Sequence, residues 1–550
     1  MNRYFHTVKR LRWEQILYRL KYRLQRWAKP ELRISETSKP HAPGTFQTLQ
    51  RYQDALHCPF QASTLKKGIF DFIQIREAIG FPPQWDFKSD YKLWRYQLHY
   101  FDWIWALDFQ DAKNCVQDWI ETYGYKSHRD GWEAYPTSLR LVNWGIYFLT
   151  KHTEQVTRST SFQTQLLTSM HIQANWLANR LEFHLMANHL FENAAALTLL
   201  GCLLEGSDCK RWHTKGLQLL IRETREQILP DGGHYERSPM YHLRMLHLLK
   251  YVTLSHPGHV PDVLRQAVVS MENAFEHMCH PDGDIALFND AAIDVYPLPP
   301  AFDKEQGQKQ TSGAWKLEHT GYYGYRNTDG DYVIVDAGEL GPSYNPGHAH
   351  ADLFSYELSY DHKRLIVDSG NFDYEPGAMR DYCRSTKAHN TVEINDADQC
   401  HFWGTFRVAE SASPKEVFFE DSNEGFELNA WHDGYHRLRT HATHRRSIRF
   451  AESTGMLVKD HIQAQMPVKA VSRIHFHPEC EISGLTDTSI EISRGNITTH
   501  IRWDEQAKAE LTDSYYCPRF NESKPNKCLS LMKSGRDISI DYTIGPKMQR

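Results

Sequence analysis

The sequence predicts an α+β multidomain protein: an N-terminal α/α barrel, or toroid, followed by a large antiparallel β-sandwich. Two observations predict it. From about residue 90 to 280, apolar residues recur near a 3.6-residue period in one segment after another. From about residue 315 onward they come in short β-branched and aromatic runs bounded by Gly, Asp and Asn. A chain of 550 residues exceeds one ordinary core. The expected division is residues 1–85 as a helical and connector region, 86–310 as the toroid and 311–550 as the sandwich. The polar stretch "DKEQGQKQTSG" (303–313) marks the break.

The N-terminus, "MNRYFHTVKRLRWEQILYRLKYRLQRW", is basic. Leu11, Ile16, Leu17, Leu20, Tyr22 and Leu24 would form one apolar face of an amphipathic helix. Two readings stand: an ordinary packed first helix, or peripheral contact with a membrane. The segment has no continuous apolar core and no small-residue cleavage site, so it does not read as a secretory signal. No stretch has the roughly 20 apolar residues of a membrane span. Ten scattered cysteines, none in a CxxC pair, read as reduced thiols. The expected location is therefore cytoplasmic, with the periplasm left open.

The helix candidates follow in order: "YKLWRYQLHYFDWIWAL", "SLRLVNWGIYFLTKH", "LLTSMHIQANWLANRLEFH", "NHLFENAAALTLLGCLL", "LQLLIRETREQIL", "YHLRMLHLLKYVTL" and "DVLRQAVVSMENAFEHM". Short breaks such as "LPDGGHYERSP" and "SHPGHVP" separate them. Many helices on short turns fit a toroid, and the lack of a strict repeat period argues against a regular solenoid. The strand candidates include "GYYGYRN", "DYVIVDAG", "LFSYELSY", "RLIVDSG", "NTVEIN", "THRRSIRF", "GMLVKDHIQ", "KAVSRIHFH", "TSIEIS" and "TTHIRW", the signature of an antiparallel sandwich. A site is expected in the cleft between the two halves.

The net charge is −5 with both signs interspersed. That excludes the clustered basic stripe of a nucleic-acid binder and leaves room for an anionic substrate in a local basic cleft. The 15 Trp and 28 Tyr are either core aromatics or stacking platforms for sugar rings. The sequence gives no reading of oligomeric state.

Three stretches carry candidate chemistry. In "MANHLFEN" (186–193), helical spacing puts Asn188, His189 and Glu192 near one face. In "LPDGGHYERSPMYHLRML" (229–246), Ser238 suits an N-cap and Pro239 the first helical position. Tyr241 then lies in the first turn, with Arg237 beside it. In "GHAHADLFSYEL" (347–358) and its sequel, His350, Asp368 and His389 are two imidazoles and a carboxylate near strand ends, a normal zinc ligand set. His401, His475 and His477 are rival ligands.

Together these stretches resemble the heparinase II/III family of polysaccharide lyases, from about 90 to 300 and from about 315 to 550. The most specific part runs from "GHAHADLFSYEL" through "LIVDSGNFDYEPGAMRDYCRSTKAHNTV". The resemblance implies that Asn188 and His189 engage and neutralise a uronate carboxylate and that Glu192 supports them. It implies that Tyr241 donates a proton to the leaving glycosidic oxygen and that His348 is catalytic. Either Tyr241 or His348 would remove the C5 proton. His350, Asp368 and His389 would hold a structural metal, zinc or another divalent ion, while Asp352 caps a turn or orients His350. Arg237 and Arg384 are the expected substrate-facing cations. Side chains alternate along an extended segment, so His348 would reach the cleft while His350 holds the metal beneath it. The implied function is a lyase that cleaves a uronic-acid glycan by β-elimination, a trimming role in bacterial surface-polysaccharide metabolism fitting better than scavenging. The rivals are a glycoside hydrolase, for which Glu133, Asp231 and Glu236 are the loop carboxylates on offer, and a non-catalytic glycan-binding or assembly protein.

Overall fold

All seven periodic segments form helices in the computed structural model, which describes residues 2–25, 38–124, 129–255, 260–300, 312–422 and 424–549. The helices are α1 (Asn2–Arg10), α2 (Trp13–Gln25), α3 (Gln47–Asp54), α4 (Ala62–Leu65), α5 (Lys92–Tyr100), α6 (Phe109–Asp118), α7 (Ala134–Ile146), α8 (Thr153–Arg158), α9 (Thr160–Ala178), α10 (Ala187–Leu203), α11 (Ser207–Gln227), α12 (Pro239–Ser255) and α13 (Asp262–His277). The third expected segment, 166–184, leaves the helix at Ala178, and the first is broken in two. Phe101 turns left-handed (φ 60°), and a 3₁₀ turn over Asp102–Ala106 follows. Its ring lies 5.2 Å from both Trp85 and Trp103, so aromatic packing overrides the helical period there.

α10 is the central helix, flanked by α7, α11 and α12, and almost every residue in it is buried. Its Ala194–Ala196 run admits close neighbours. Gly216 of α11 leaves so little room that a Cβ there would stand 2.7 Å from the Thr198 backbone nitrogen. One apolar core runs from Phe46 and Leu49 through these helices to Val260 and Leu264. Trp94, Trp103, Trp119, Trp144 and Trp212 are wholly inside, so for these five the core reading of the aromatics holds.

Besides a two-stranded ribbon, His401–Phe402 with Val408–Glu410, the strand-like half forms two main antiparallel sheets. The smaller has five strands in sequence order: Gly313–Leu317, Tyr322–Arg326, Tyr332–Asp336, Tyr356–Tyr360 and Lys363–Ile366. The larger has eleven, built on two 21-residue strands, Gly455–His475 and Lys524–Ile544, paired along their length. Alternation on the small sheet decides the layering. Val333 and Val335 pack on the large sheet with Ile448, Val458 and Ile474. Tyr332 and Ile334 face the other way, onto Ala274 and Met278 at the end of α13. The small sheet is thus buried on both faces, between the helices and the large sheet, and the loops at its edge carry the candidate site.

Candidate active site

α12 starts as its sequence predicts. Pro239 is its first residue, and the Ser238 hydroxyl accepts from the Tyr241 amide at 3.4 Å while donating to the Asp290 carbonyl at 2.8 Å. This fixes Tyr241 in the first turn. Its ring centroid lies 4.3 Å from that of His348, and its hydroxyl is 3.0 Å from the Tyr374 hydroxyl. Burial, then Tyr374, holds the Tyr241 phenol well above its ordinary value.

His348 and His350 do not diverge as simple alternation predicts. Both rings close on one carboxylate, that of Asp290: His348 Nδ1 on Oδ2 at 2.8 Å and His350 Nε2 on Oδ1 at 2.9 Å. The Arg380 guanidinium grips the same carboxylate through both terminal nitrogens, one of them at 2.9 Å. Burial alone would raise Asp290, but Arg380 and the two histidines hold it well below the carboxylate range. An ionised carboxylate only accepts, so His348 Nδ1 carries the proton. His348 Nε2, the acceptor of the neutral ring, lies 3.4 Å from the Asn188 amide nitrogen. The His348 side chain is 14% exposed, whereas Asp290 and His350 are sealed.

Asn188 and His189 open α10 behind a strained entry: Met186 (φ 62°, ψ −150°) and Ala187 (φ 53°) both have left-handed φ without being glycine, each costing about 1–3 kcal/mol. The Asn188 amide donates to both Glu236 oxygens, at 3.0 and 2.9 Å, and its backbone N–H to one of them at 3.1 Å. His189 meets Glu182 at 3.1 Å and is 28% exposed. Against burial, Glu182 holds the His189 imidazolium above its ordinary value. The site therefore presents a half-exposed cation, an imidazole acceptor and a phenol donor to one cleft.

Three expected binding residues stand elsewhere. Glu192 is fully buried in a bidentate pair with Arg244, at 2.8 and 2.6 Å. A carboxylate at that depth needs a cation, and the i,i+4 relation to Asn188 does not supply one. Arg237 is buried and spends its donors on the carbonyls of Thr320, Tyr235 and His319. Arg384, on α14 (Ala378–Arg384), likewise holds the carbonyls of Ala349, Gly404 and Thr405, and burial lowers it to about 9. Both arginines brace loops; neither reaches the cleft. Asp352 takes the capping role, accepting the Asn289 amide at 3.2 Å next to Asp290.

His350, Asp368 and His389 are brought together and buried. His389 Nδ1 is 2.7 Å from Asp368 Oδ2, and the rings of His350 and His389 lie 5.4 Å apart. His350 Nδ1 and His389 Nε2 are buried without a partner; burial, then Asp352, raises Asp336, and burial, then Asp368, raises Asp352 to about 6. Among the described residues no group of three or more His, Cys, Asp or Glu side chains is placed to hold a metal ion. His401 pairs with Glu410 at the surface; His475 is buried against Asn390, and His477 packs on Tyr516.

Asp290, Arg380, Glu236 and Tyr374 shape the cleft and were not singled out for it. Only Glu236 was named, for another role. Arg380 and Tyr374 sit inside the quoted "GNFDYEPGAMRDYCRS" stretch, whereas Asp290 in "LFNDAAIDVY" carries no local signal.

Residues 84–296 match the heparinase II/III N-terminus model, and residues 309–544 the heparinase II/III-like C-terminal model. The chain belongs to the heparinase II/III family. A heparin-sulfate lyase of Bacteroides stercoris is 22% identical over 383 residues, 64% of this chain and 53% of that protein. The chain spans about half the length of the lyase relatives it matches. The FtsZ-localized protein C of Caulobacter vibrioides is 23% identical over 447 residues, 76% of this chain and 75% of its own. The crystal structure of heparinase III superposes with a TM-score of 0.71 at 14% identity, covering 97% of this chain and 90% of the other. That likeness bears out the fold, a helical domain followed by a β-sandwich.

Proposed function

We propose that this protein is a polysaccharide lyase that opens a uronate glycosidic bond by β-elimination. One observation carries it: the Tyr241 ring and the Asn188 amide both meet the His348 imidazole, at 4.3 Å between ring centroids and 3.4 Å between nitrogens. His348, oriented by Asp290 through Nδ1, takes the C5 proton on Nε2. The C4–O bond breaks as the C4=C5 bond forms, and Tyr241 gives its proton to the departing oxygen. Tyr241 suits that acid role because its hydroxyl is held protonated. The charge that builds at the carboxylate meets the His189 imidazolium and the Asn188 amide. The substrate class we assign is an anionic uronate glycan resembling a glycosaminoglycan, among them the surface polysaccharide of the cell itself, with a cytoplasmic location to be checked by fractionation.

The hydrolase reading finds little support. Asp231 is consumed by the amides of His319 and Thr320, Glu236 by Asn188, and Glu133 by Lys92 and Tyr96. No free pair of these carboxylates flanks the cleft as acid and base would.

We further propose a zinc ion, or another divalent metal, held by His350 and His389 with Asp368. The two unpartnered buried nitrogens and the crowded carboxylates support it. Bound there, it would tie strand ends together beneath the cleft and supply folding energy.

The test is incubation with a panel of uronic-acid polymers, read by ultraviolet absorbance of the unsaturated uronate. Cleavage without that chromophore would indicate a hydrolase. Tight binding without cleavage would make the protein a non-catalytic glycan binder.

A further inference from the structure

α2 has two apolar faces and only one is used. Gln15, Tyr18 and Tyr22 face the body. The Gln15 side chain donates to the Leu185 carbonyl at 3.5 Å, the Tyr18 ring lies 4.5 Å from Phe183, and the Tyr22 hydroxyl donates to the Leu181 carbonyl. Trp13, Ile16, Leu17, Leu20 and Leu24 are exposed by 69, 42, 49, 55 and 75%. At about 100° per residue these five fall within an arc of about 100°, centred about 180° from the docked face. Exposed Lys21 and Arg23 border that arc on its two sides. The other exposed large apolar residues, such as Val269, Met466 and Leu485, are scattered singly, which is ordinary for a surface. Five on one helix are not.

The packed and the membrane-facing readings of this segment thus hold for opposite sides of one helix. We propose that α2 lies in the interface of a lipid bilayer bearing anionic headgroups, its outer stripe among the acyl chains and Lys21 and Arg23 at the phosphates. The charge pattern selects this occupant. Cations flank the stripe on both sides, and Glu14 is the one acid in the helix. This basic cluster stands out from a chain whose net charge is −5. A second copy would offer those cations only the same lone acid. The helix is about 20 Å long and lies flat on the body, as an interfacial helix does. The segment it rests on, Leu181–Leu185, includes Glu182, the partner of His189. Docking would therefore hold the cleft beside the bilayer surface. None of this depends on the lyase reading.

The experiment is flotation of the full-length protein with phosphatidylcholine vesicles, with and without phosphatidylglycerol. The protein is expected to float with the anionic vesicles, less so in high salt. The double variant Leu17→Glu/Leu20→Glu should lower the partition coefficient by about tenfold or more, and Lys21→Glu/Arg23→Glu by about fivefold per charge. Both variants should keep the wild-type circular dichroism spectrum. The proposal is overturned if folded wild type stays with the soluble fraction, if it binds both vesicle types alike, or if the variants float as wild type does. It is equally overturned if the wild type fails to float but sediments as a dimer that the leucine variant turns into a monomer, since a second copy then covers the stripe.

Discussion

Asp290 in the cleft and Asp460 inside the sandwich are built from the same parts. Each is a fully buried carboxylate that takes an arginine through both oxygens; Asp290 adds a histidine on each oxygen, His348 and His350, whereas Asp460 adds His444 on one. Asp460 accepts from Arg446 at 2.7 and 2.8 Å, from His444 at 2.8 Å and from Ser472 at 2.7 Å. Behind it the relay closes on itself: His444 Nδ1 meets His432 Nε2 at 3.1 Å, and His432 Nδ1 accepts the Gly434 amide at 3.1 Å. Every ring nitrogen there is used. Around Asp290 the chain of contacts does not close: the His348 side chain is 14% exposed, its Nε2 only 3.4 Å from the Asn188 amide nitrogen, and His350 keeps an unpartnered nitrogen. The same interactions make a brace where all valences are filled and a site where one is left over.

Breaking the open cluster should give the largest effect. Tyr241→Phe and His348→Ala should each lower kcat by about 10²–10⁴-fold, with a thermal midpoint near wild type. Steady-state rates and circular dichroism measure both, and near-wild-type turnover in folded Tyr241→Phe would remove Tyr241 from the reaction. The sealed cluster should respond in the opposite currency. Asp460→Ala leaves Arg446 buried and unpaired, so urea unfolding should show a loss of about 3–5 kcal/mol, while the rate per folded molecule is kept. A folded Asp460→Ala protein that loses turnover would show that the two clusters are coupled.

His350→Ala sharpens the comparison within the cleft. It should lower zinc content and melting temperature together, as elemental analysis and calorimetry would show, whereas His348→Ala should leave the metal in place. Wild-type protein free of stoichiometric metal would withdraw the zinc proposal.

The smallest effect separates the clusters by pH. Arg446 and His444 overcome burial to hold Asp460 well below its ordinary value. Its stabilisation is therefore present above about pH 4 and is lost as pH falls toward the folded value. His189 is shifted upward by Glu182. Its contribution is full below about pH 6.5 and is lost as pH rises through the folded value. Urea midpoints of His189→Gln should thus approach wild type on the alkaline side, and those of Asp460→Asn on the acid side. A pH-independent gap in either case would place the effect in packing.

Period and punctuation determined much of this protein without help from the rest of the chain. The helices α7 and α9 to α13, the strand runs after residue 315, and the Ser238–Pro239 start that presents Tyr241 are set by residues within a turn or two of one another. So is the stripe of α2, although its outward direction is not. The tertiary structure alone decided partners. Arg237 and Arg384 have the right charge for an anionic substrate, yet Arg237 and the Nε and Nη1 of Arg384 donate to loop carbonyls that no spacing rule predicts. Glu192 goes to Arg244, 52 residues away, and Asp290 draws in His348, His350 and Arg380 from 58 to 90 residues away. A buried ion must find its counter-charge wherever packing brings one. The identity of that partner is a property of the packed layers, and the local sequence holds only the demand for it.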